Sequence, residues 1–327
     1  MYVRSVSDAS ADGSSSRVTD WFTRRTSDID SWQLQRVMDA KADTSVAVIL
    51  PARDEEATVG EIVGAIRAEL TGGARPLVDE VIVVDSGSRD ATAQVAADSG
   101  ARVVALDDVL PDYAPRAGKG EAMWRGLAAT TADVVVFVDA DLQSFDARFV
   151  VALLGPLLDD QTVAFVKAAY DRPPTDPSVP SNGGGRVTEL MARPMLSAFW
   201  PELGGILQPL AGEYAARASL LRQLPFRCGY GVDLGLLIDT YSAAGLDVIA
   251  QVDLRRRWHR HSDLPSLGRM ATEVMHTALD RLVAEGRVPA ELAAASHLWQ
   301  PERLEGAVAL QHYDIDIAER PPLSALS

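Results

Sequence analysis

Four short apolar runs constrain this chain more than any other feature. They are "VAVILPA" (46–52), "EVIVVD" (80–85), "ARVVAL" (101–106) and "VVVFVD" (134–139), and helical patterns separate them. A strand with one wet face alternates polar and apolar residues. These runs do not, so both of their faces should be covered, as in a parallel sheet with helices on either side. Thr58 and Glu61 have capping-box spacing for a helix carrying Val59, Ile62, Val63 and Ile66. Further helices are expected near 91–98 and over 119–131. The predicted fold class is α/β, a Rossmann-like, mostly parallel sheet whose ligands gather at the carboxyl ends of the strands.

The flanking segments are less regular. Residues 1 to about 17, rich in Ser, Asp and Gly, are expected to be disordered. Residues 27–42 read as a short capped helix with Leu34, Val37 and Met38 on one face. Beyond about 160 the expected elements are a strand at 163–170, a glycine-rich loop entering a helix over 181–199 and a helix at 232–245. A strand at 246–254, a long helix at about 265–285 and a tail containing "RPP" follow. No internal repeat is visible. The expected division is a flexible segment and short helix over 1–44, a regular strand-and-helix part over 45–160, and a less regular part of the same domain over 161–327.

Bulk properties exclude several functions. With 47% hydrophobic and 24% charged residues the composition is that of a soluble globular protein. A net charge of -15 argues against nucleic-acid binding, which needs a basic face. Cys228 is the only cysteine, so no disulfide forms within the chain, as suits a reducing compartment. The N-terminal stretch has no apolar signal-peptide core, and no apolar run approaches the length of a membrane span. A cytoplasmic protein without membrane partners is expected.

The polar residues cluster where strands should end. Asp139 and Asp141, one alanine apart, close the run "VVVFVDAD". Carboxylates are hard ligands, so the pair suits a divalent cation that also takes phosphate oxygens; two turn or cap aspartates after a strand are the simpler alternative. "PARDEEATV" puts acidic and basic groups before a helix, a position suited to a base or ribose. "VDSGSRD" sets Asp85 and two serines around a glycine turn, within reach of a uracil and its ribose. "GKGEA" places Lys119 between glycines at a helix start, where its charge and free amides suit a diphosphate. Each taken singly reads as a turn; four on one edge are harder to explain by structure alone.

Other candidates lie in the second half. In "GGGRVTEL" three glycines allow close backbone approach, Arg186 offers a bidentate fork and Thr188 a hydroxyl; a flexible loop with a surface arginine is the alternative. In "DLRRRWHRHSD", His259 offers a neutral ring nitrogen to a metal shell begun by Asp141, and His261 can face an anionic acceptor. A solvated basic strand end would look the same. Asp233, in "GYGVDLGLL" beside Tyr230, either orients an acceptor hydroxyl or balances a helix dipole. His276, His297 and His312 show no partner pattern and read as structural.

Together these residues resemble the glucosyl-3-phosphoglycerate synthases of actinobacteria, retaining, metal-dependent glycosyltransferases of the GT-A fold. The resemblance spans about residues 45–320. It is carried by "PARDEEAT", "VDSGSRD", "GKGEAMWRGLA", "FVDADL", "GGGRVTELMARP", "LQPLAGEYAAR", "GYGVDLGLLIDT" and "RPP". The Asp-x-Asp is generic to the fold; "GKGEA" with "GGGRVTEL" and "GYGV" is far more specific. The resemblance implies that Pro51, Ala52, Glu55, Ser86 and Lys119 hold uridine diphosphate, with Asp85 beside them. It implies that Asp139 and Ala140 contact ribose and diphosphate, and that Asp141 and His259 bind Mg²⁺ or Mn²⁺. Gly185, Arg186, Val187 and Thr188 would receive the phosphate of 3-phosphoglycerate, and Tyr230 would lie where donor and acceptor meet. The Leu210 carbonyl would steady the sugar cation. Two positions depart from the family pattern: Asp233 stands in place of glutamate and His261 in place of asparagine. The implied reaction moves glucose from UDP-glucose to the 2-hydroxyl of 3-phosphoglycerate, in a homodimer. The alternatives are a mannosyl-3-phosphoglycerate synthase using GDP-mannose, a polyprenyl-phosphate glycosyltransferase, and a sugar-nucleotide-binding module without turnover. The apolar side of the 265–285 helix (Leu267, Met270, Val274, Ala278, Leu282) suits either a dimer contact or the chain's own sheet.

Overall fold

The computed structural model describes residues 13–171, 185–256, 263–291, 294–304 and 307–326. In chain order the strands are β1 Thr26–Asp28, β2 Val46–Ala52, β3 Glu80–Asp85, β4 Arg102–Ala105, β5 Val134–Phe137, β6 Phe165–Asp171, β7 Tyr214–Arg217, β8 Phe226–Arg227, β9 Ile249–Arg256, β10 His297–Leu304, β11 Ala307–Asp314 and β12 Glu319–Arg320. The helices are α1 Gly13–Arg25, α2 Leu34–Lys41, α3 Val59–Leu70, α4 Thr92–Asp98, α5 Lys119–Ala128, α6 Arg148–Asp159, α7 Arg193–Phe199, α8 Ala218–Leu221, α9 Val232–Ala244 and α10 Leu264–Ala284.

Eight strands form one sheet in the order β1-β9-β6-β7-β5-β2-β3-β4. β7 runs antiparallel to both neighbours, and every other pair in the sheet is parallel. Alternation along β2 explains the two layers. Val46, Val48 and Leu50 enter a core with α3 and α6, whereas Ile49 joins a second core with α5, α9 and α10. From β2 the chain runs outward through β3 and β4, then returns to place β5 on β2's other side. The carboxyl ends of β2 and β5 therefore flank a topological switch point, where α/β sheets open a crevice.

Two expectations need correction. α1 begins at Gly13, inside the segment expected to be disordered. Its Trp21 is fully buried and donates from Nε1 to the Ile249 carbonyl at 2.9 Å. Residues 27–42 are not one helix. β1 pairs with β9, a 3₁₀ turn follows, and only Leu34–Lys41 is α-helical. The 148–159 helix and the β10–β11 hairpin carry no expectation above, the former because "RFVVALLGPLLD" is apolar nearly all round and therefore buried. The apolar side of α10 is covered within the chain: Val274, Ala278 and Leu282 are buried and Leu267 and Met270 pack on the same core. That stripe is thus no argument for a dimer. Among the described residues no helix is long and apolar enough to cross a membrane.

Candidate active site

β5 ends at Phe137, and Val138 makes one last bond, N–H to the Ile49 carbonyl at 3.1 Å. Asp139 is then the first residue beyond the sheet, at the crevice between β2 and β5. Lys119, the first residue of α5, reaches into the same space. Its Nζ lies 2.7 Å from Asp139 Oδ1 and 3.4 Å from Asp233 Oδ2 on the first turn of α9. One ammonium thus joins the end of β5 to the start of a helix nearly a hundred residues further on. Burial alone would lower the Lys119 pKa, but the charges of Asp139, Asp233 and Glu213 outweigh it and hold the amine well above the ordinary lysine range. Burial pushes the Asp233 carboxyl up; Lys119 and Lys167 oppose that shift and Asp139 adds to it.

The nucleotide-side residues sit on neighbouring strand ends. Ala52 lies opposite Asp85 across the β2–β3 pair, and the Ser86 amide donates to the Ala52 carbonyl at 2.9 Å. Pro51, Ala52, Asp85 and Ser86 therefore share one edge. The Asp85 carboxylate takes the Ser88 hydroxyl and amide, so this aspartate also closes its own turn. Two acids of "RDEEA" lock the loops together: Asp54 accepts from Arg89 N at 2.7 Å and Glu56 from Ala91 N at 2.8 Å. Glu55 N–H donates to Thr92 Oγ1 at 2.7 Å.

Two local readings change. Thr58 makes no capping bond to α3; its hydroxyl donates to the Ala140 carbonyl at 2.6 Å instead. That bond ties the turn after β2 to the middle of Asp-Ala-Asp. In "GKGEA" the glycines serve backbone packing. Gly118 adopts φ 124°, and a Cβ there or at Gly120 would collide with the Cys228 or Arg227 carbonyl. The Glu121 amide is committed to the Cys228 carbonyl at 3.1 Å. Lys119, rather than that amide, is what the motif offers to a ligand. Glu121 itself is buried against Arg125 and Arg320, which accounts for the arginine of "RPP".

On the acceptor side, Gly185 accepts from Glu189 N at 3.0 Å at the entrance to a π-helical turn, Thr188–Ala192, continuous with α7. Arg186 is exposed, while Val187 and Thr188 are buried. The turn packs against α10. The same helix holds Tyr230, whose amide donates to Glu273 Oε2 at 2.6 Å. The Tyr230 phenol is raised by burial and by Glu273, with Lys119, Asp139 and Asp141 close enough to act on it. Lys119, Asp139, Asp141, Tyr230 and Asp233 are therefore one neighbourhood. Gly183, Gly184, His259 and His261 lie outside the described residues. His276 is buried with Nε2 3.1 Å from the Ala295 carbonyl, and His297 and His312 stack on the β10–β11 hairpin.

Three residues of this neighbourhood escape sequence reasoning. Lys167, mid-strand in β6, is fully buried, and Glu213 and Tyr214 lie on the adjoining edge of β7. A lysine inside the apolar run "VAFVKAAY" is the signal that would have found the first.

The donor set fits a hard divalent cation. Asp141, which with Lys119 and Asp139 lies close enough to Tyr230 to act on its phenol, supplies a carboxylate, a hard ligand. Among the described residues no three His, Cys, Asp or Glu gather into a metal cage.

A Glycosyl transferase family 2 model matches residues 47–204. Over 311 residues the chain is 45% identical to glucosyl-3-phosphoglycerate synthase of Mycolicibacterium paratuberculosis, covering 94% of this chain and 92% of that protein. The crystal structure of the Mycobacterium tuberculosis glucosyl-3-phosphoglycerate synthase with Mn²⁺, UDP and phosphoglyceric acid superposes with a TM-score of 0.79 at 44% identity, over 90% of this chain and 95% of that one. Mannosyl-3-phosphoglycerate synthase from Rubrobacter xylanophilus superposes with a TM-score of 0.86 at 38% identity, over 95% and 98%.

Proposed function

From a chain that belongs to the glucosyl-3-phosphoglycerate synthase family of glycosyltransferases, we propose an enzyme that transfers glucose from UDP-glucose to the 2-hydroxyl of 3-phosphoglycerate with retention. The observation that carries this reading is the placement of Lys119 between Asp139 and Asp233. It joins the donor-side Asp-Ala-Asp to the acceptor-side helix at a single cation.

In this reading Pro51, Ala52, Glu55, Asp85 and Ser86 hold the uridine, and Lys119, Asp139 and Ala140 the ribose and diphosphate. Mg²⁺ or Mn²⁺, held by Asp141 and His259, neutralises charge on the leaving diphosphate when bound. Gly185, Arg186, Val187 and Thr188 take the acceptor phosphate, and Asp233, Tyr230 and His261 orient the acceptor. Its hydroxyl attacks from the face the diphosphate leaves, passing its proton to the departing phosphate oxygen, while the Leu210 carbonyl steadies the sugar cation. Residues 45–160 then bind the donor and 161–327 complete the acceptor side of the same catalytic domain. A cytoplasmic homodimer completes the proposal.

A panel of nucleotide sugars against 3-phosphoglycerate tests it. Turnover with UDP-glucose well above GDP-mannose is expected. A preference for GDP-mannose would move the chain to the mannosyl reaction of its Rubrobacter relative, and no turnover with any donor would leave a binding module.

A further inference from the structure

The segment leading into β7, "LQPLAGEY" (207–214), is pinned on every side. Arg193 of α7 donates to the Ile206 and Leu207 carbonyls at 3.1 and 2.7 Å. Gln251 of β9 accepts the Leu207 amide at 2.8 Å. The Gln208 side chain donates to the Tyr170 carbonyl of β6. Gly212 passes so close to Asp139 and Lys119 that a Cβ there would collide with both charged groups. The remaining pin is Lys167 of β6. Its Nζ donates to the Ala211 carbonyl at 2.7 Å and lies 4.5 Å over the Tyr214 ring. Leu210 is held between these fixed points.

A buried ammonium is a costly way to hold one carbonyl. Methionine fills similar space, and a turn already held by Arg193, Gln208 and Gln251 has other supports. What Lys167 adds is position and charge together. Ala211 is the residue after Leu210, so the peptide plane that Lys167 holds adjoins the Leu210 peptide at the Ala211 Cα, and fixing one narrows the orientations open to the other. The ammonium also belongs to the charge cluster of Lys119, Asp139, Asp233 and Glu213.

We infer that Lys167 is a positioning residue for glucosyl transfer, setting the Leu210–Ala211 turn against the transferring sugar without touching either substrate. This inference rests on the UDP-glucose reading proposed above. Because the turn is held by bonds within the chain, its loss affects the reacting geometry rather than the uridine site, which lies on β2 and β3.

The test compares wild type with Lys167→Met and Lys167→Gln, measuring kcat, the KM for 3-phosphoglycerate and UDP affinity in the presence of Mn²⁺. Lys167→Met is expected to lower kcat by about ten- to a hundredfold, since small misplacements at a reacting centre cost this much, with UDP affinity within about twofold of wild type. Lys167→Gln keeps a donor for the Ala211 carbonyl and should recover part of the loss. Unchanged kcat in the methionine variant overturns the inference. So does a fall in UDP affinity that matches the fall in kcat, which marks a structural role only. If the methionine variant does not fold, the glutamine variant decides by the same two readings. A wild type inactive with UDP-glucose and 3-phosphoglycerate would instead remove the functional reading itself.

Discussion

The Thr58 hydroxyl donates to the Ala140 carbonyl at 2.6 Å, fastening the turn after β2 to the centre of the Asp-Ala-Asp loop after β5. The two lie on opposite lips of the switch-point crevice, so the bond sets its width. Thr58→Val keeps the shape and removes the donor. It should cost about 1 kcal/mol of stability, the usual worth of one such bond. It should also weaken UDP binding several-fold, while Thr58→Ser stays near wild type. Urea unfolding and UDP titration of the three proteins check this. Equal UDP affinity in all three would mean that the crevice is set elsewhere.

The cation makes the second prediction. Asp141→Ala should lower turnover by on the order of a hundredfold or more, because little else on this acidic chain neutralises a leaving diphosphate as well. EDTA-treated wild type should be equally poor and recover with Mn²⁺ or Mg²⁺. Far-UV circular dichroism should be unchanged in the variant. Full activity after chelation would contradict the prediction.

The fold was largely legible because burial on both faces leaves an unambiguous mark in composition. β2, β3, β4 and β5 fall within two or three residues of the apolar runs, and Val59, Ile62, Val63 and Ile66 all face the core. The strand-end motifs were legible for the same reason, since a polar residue is conspicuous after six apolar ones. What was hidden depends on distant partners. Thr58 matches a capping box but bonds 82 residues away. The "GKGEA" glycines look like a phosphate cradle, yet they make room for Arg227 and Cys228. β1 is three residues long and exists only because β9 is there to pair with it. Lys167 reads as a blemish in a strand until Ala211, Tyr214 and Asp233 are seen around it.

Lys167 also makes stability depend on alkaline pH. Burial lowers its pKa from 10.5 to about 8, aided by Lys119 and opposed by Asp233, Glu213 and Asp139. Between these two values the unfolded chain holds a proton that the folded chain has released. Stability contributed through this group therefore rises with pH, from a full deficit below pH 8 towards none near 10.5. Wild type should gain on Lys167→Met by at most about 3 kcal/mol across that window. Urea midpoints of both proteins at pH 7.5 and pH 10 measure the difference. A gap that stays constant with pH would show that the lysine is not titrating there.

Arg186 is the residue on which the acceptor side of the proposal turns. Arg186 is exposed at the mouth of the Gly185–Thr188 turn, whose Thr188 end packs against α10, the helix that also holds Tyr230. If the turn receives a phosphate, the guanidinium supplies two charged donors worth about 1.5–3 kcal/mol. Arg186→Ala should then lower kcat/KM for 3-phosphoglycerate by about ten- to a hundredfold, with UDP-glucose binding little changed. Arg186→Lys should restore only part, because a point charge does not reproduce the planar fork. Glycerate, which lacks the phosphate, should be a poor acceptor for wild type, and Arg186→Ala should narrow the gap between the two acceptors. Steady-state kinetics with each acceptor at saturating UDP-glucose, together with donor affinity measured by calorimetry, separate the possibilities. Weaker UDP-glucose binding with intact acceptor kinetics would assign the turn to the donor and remove the residue support for 3-phosphoglycerate.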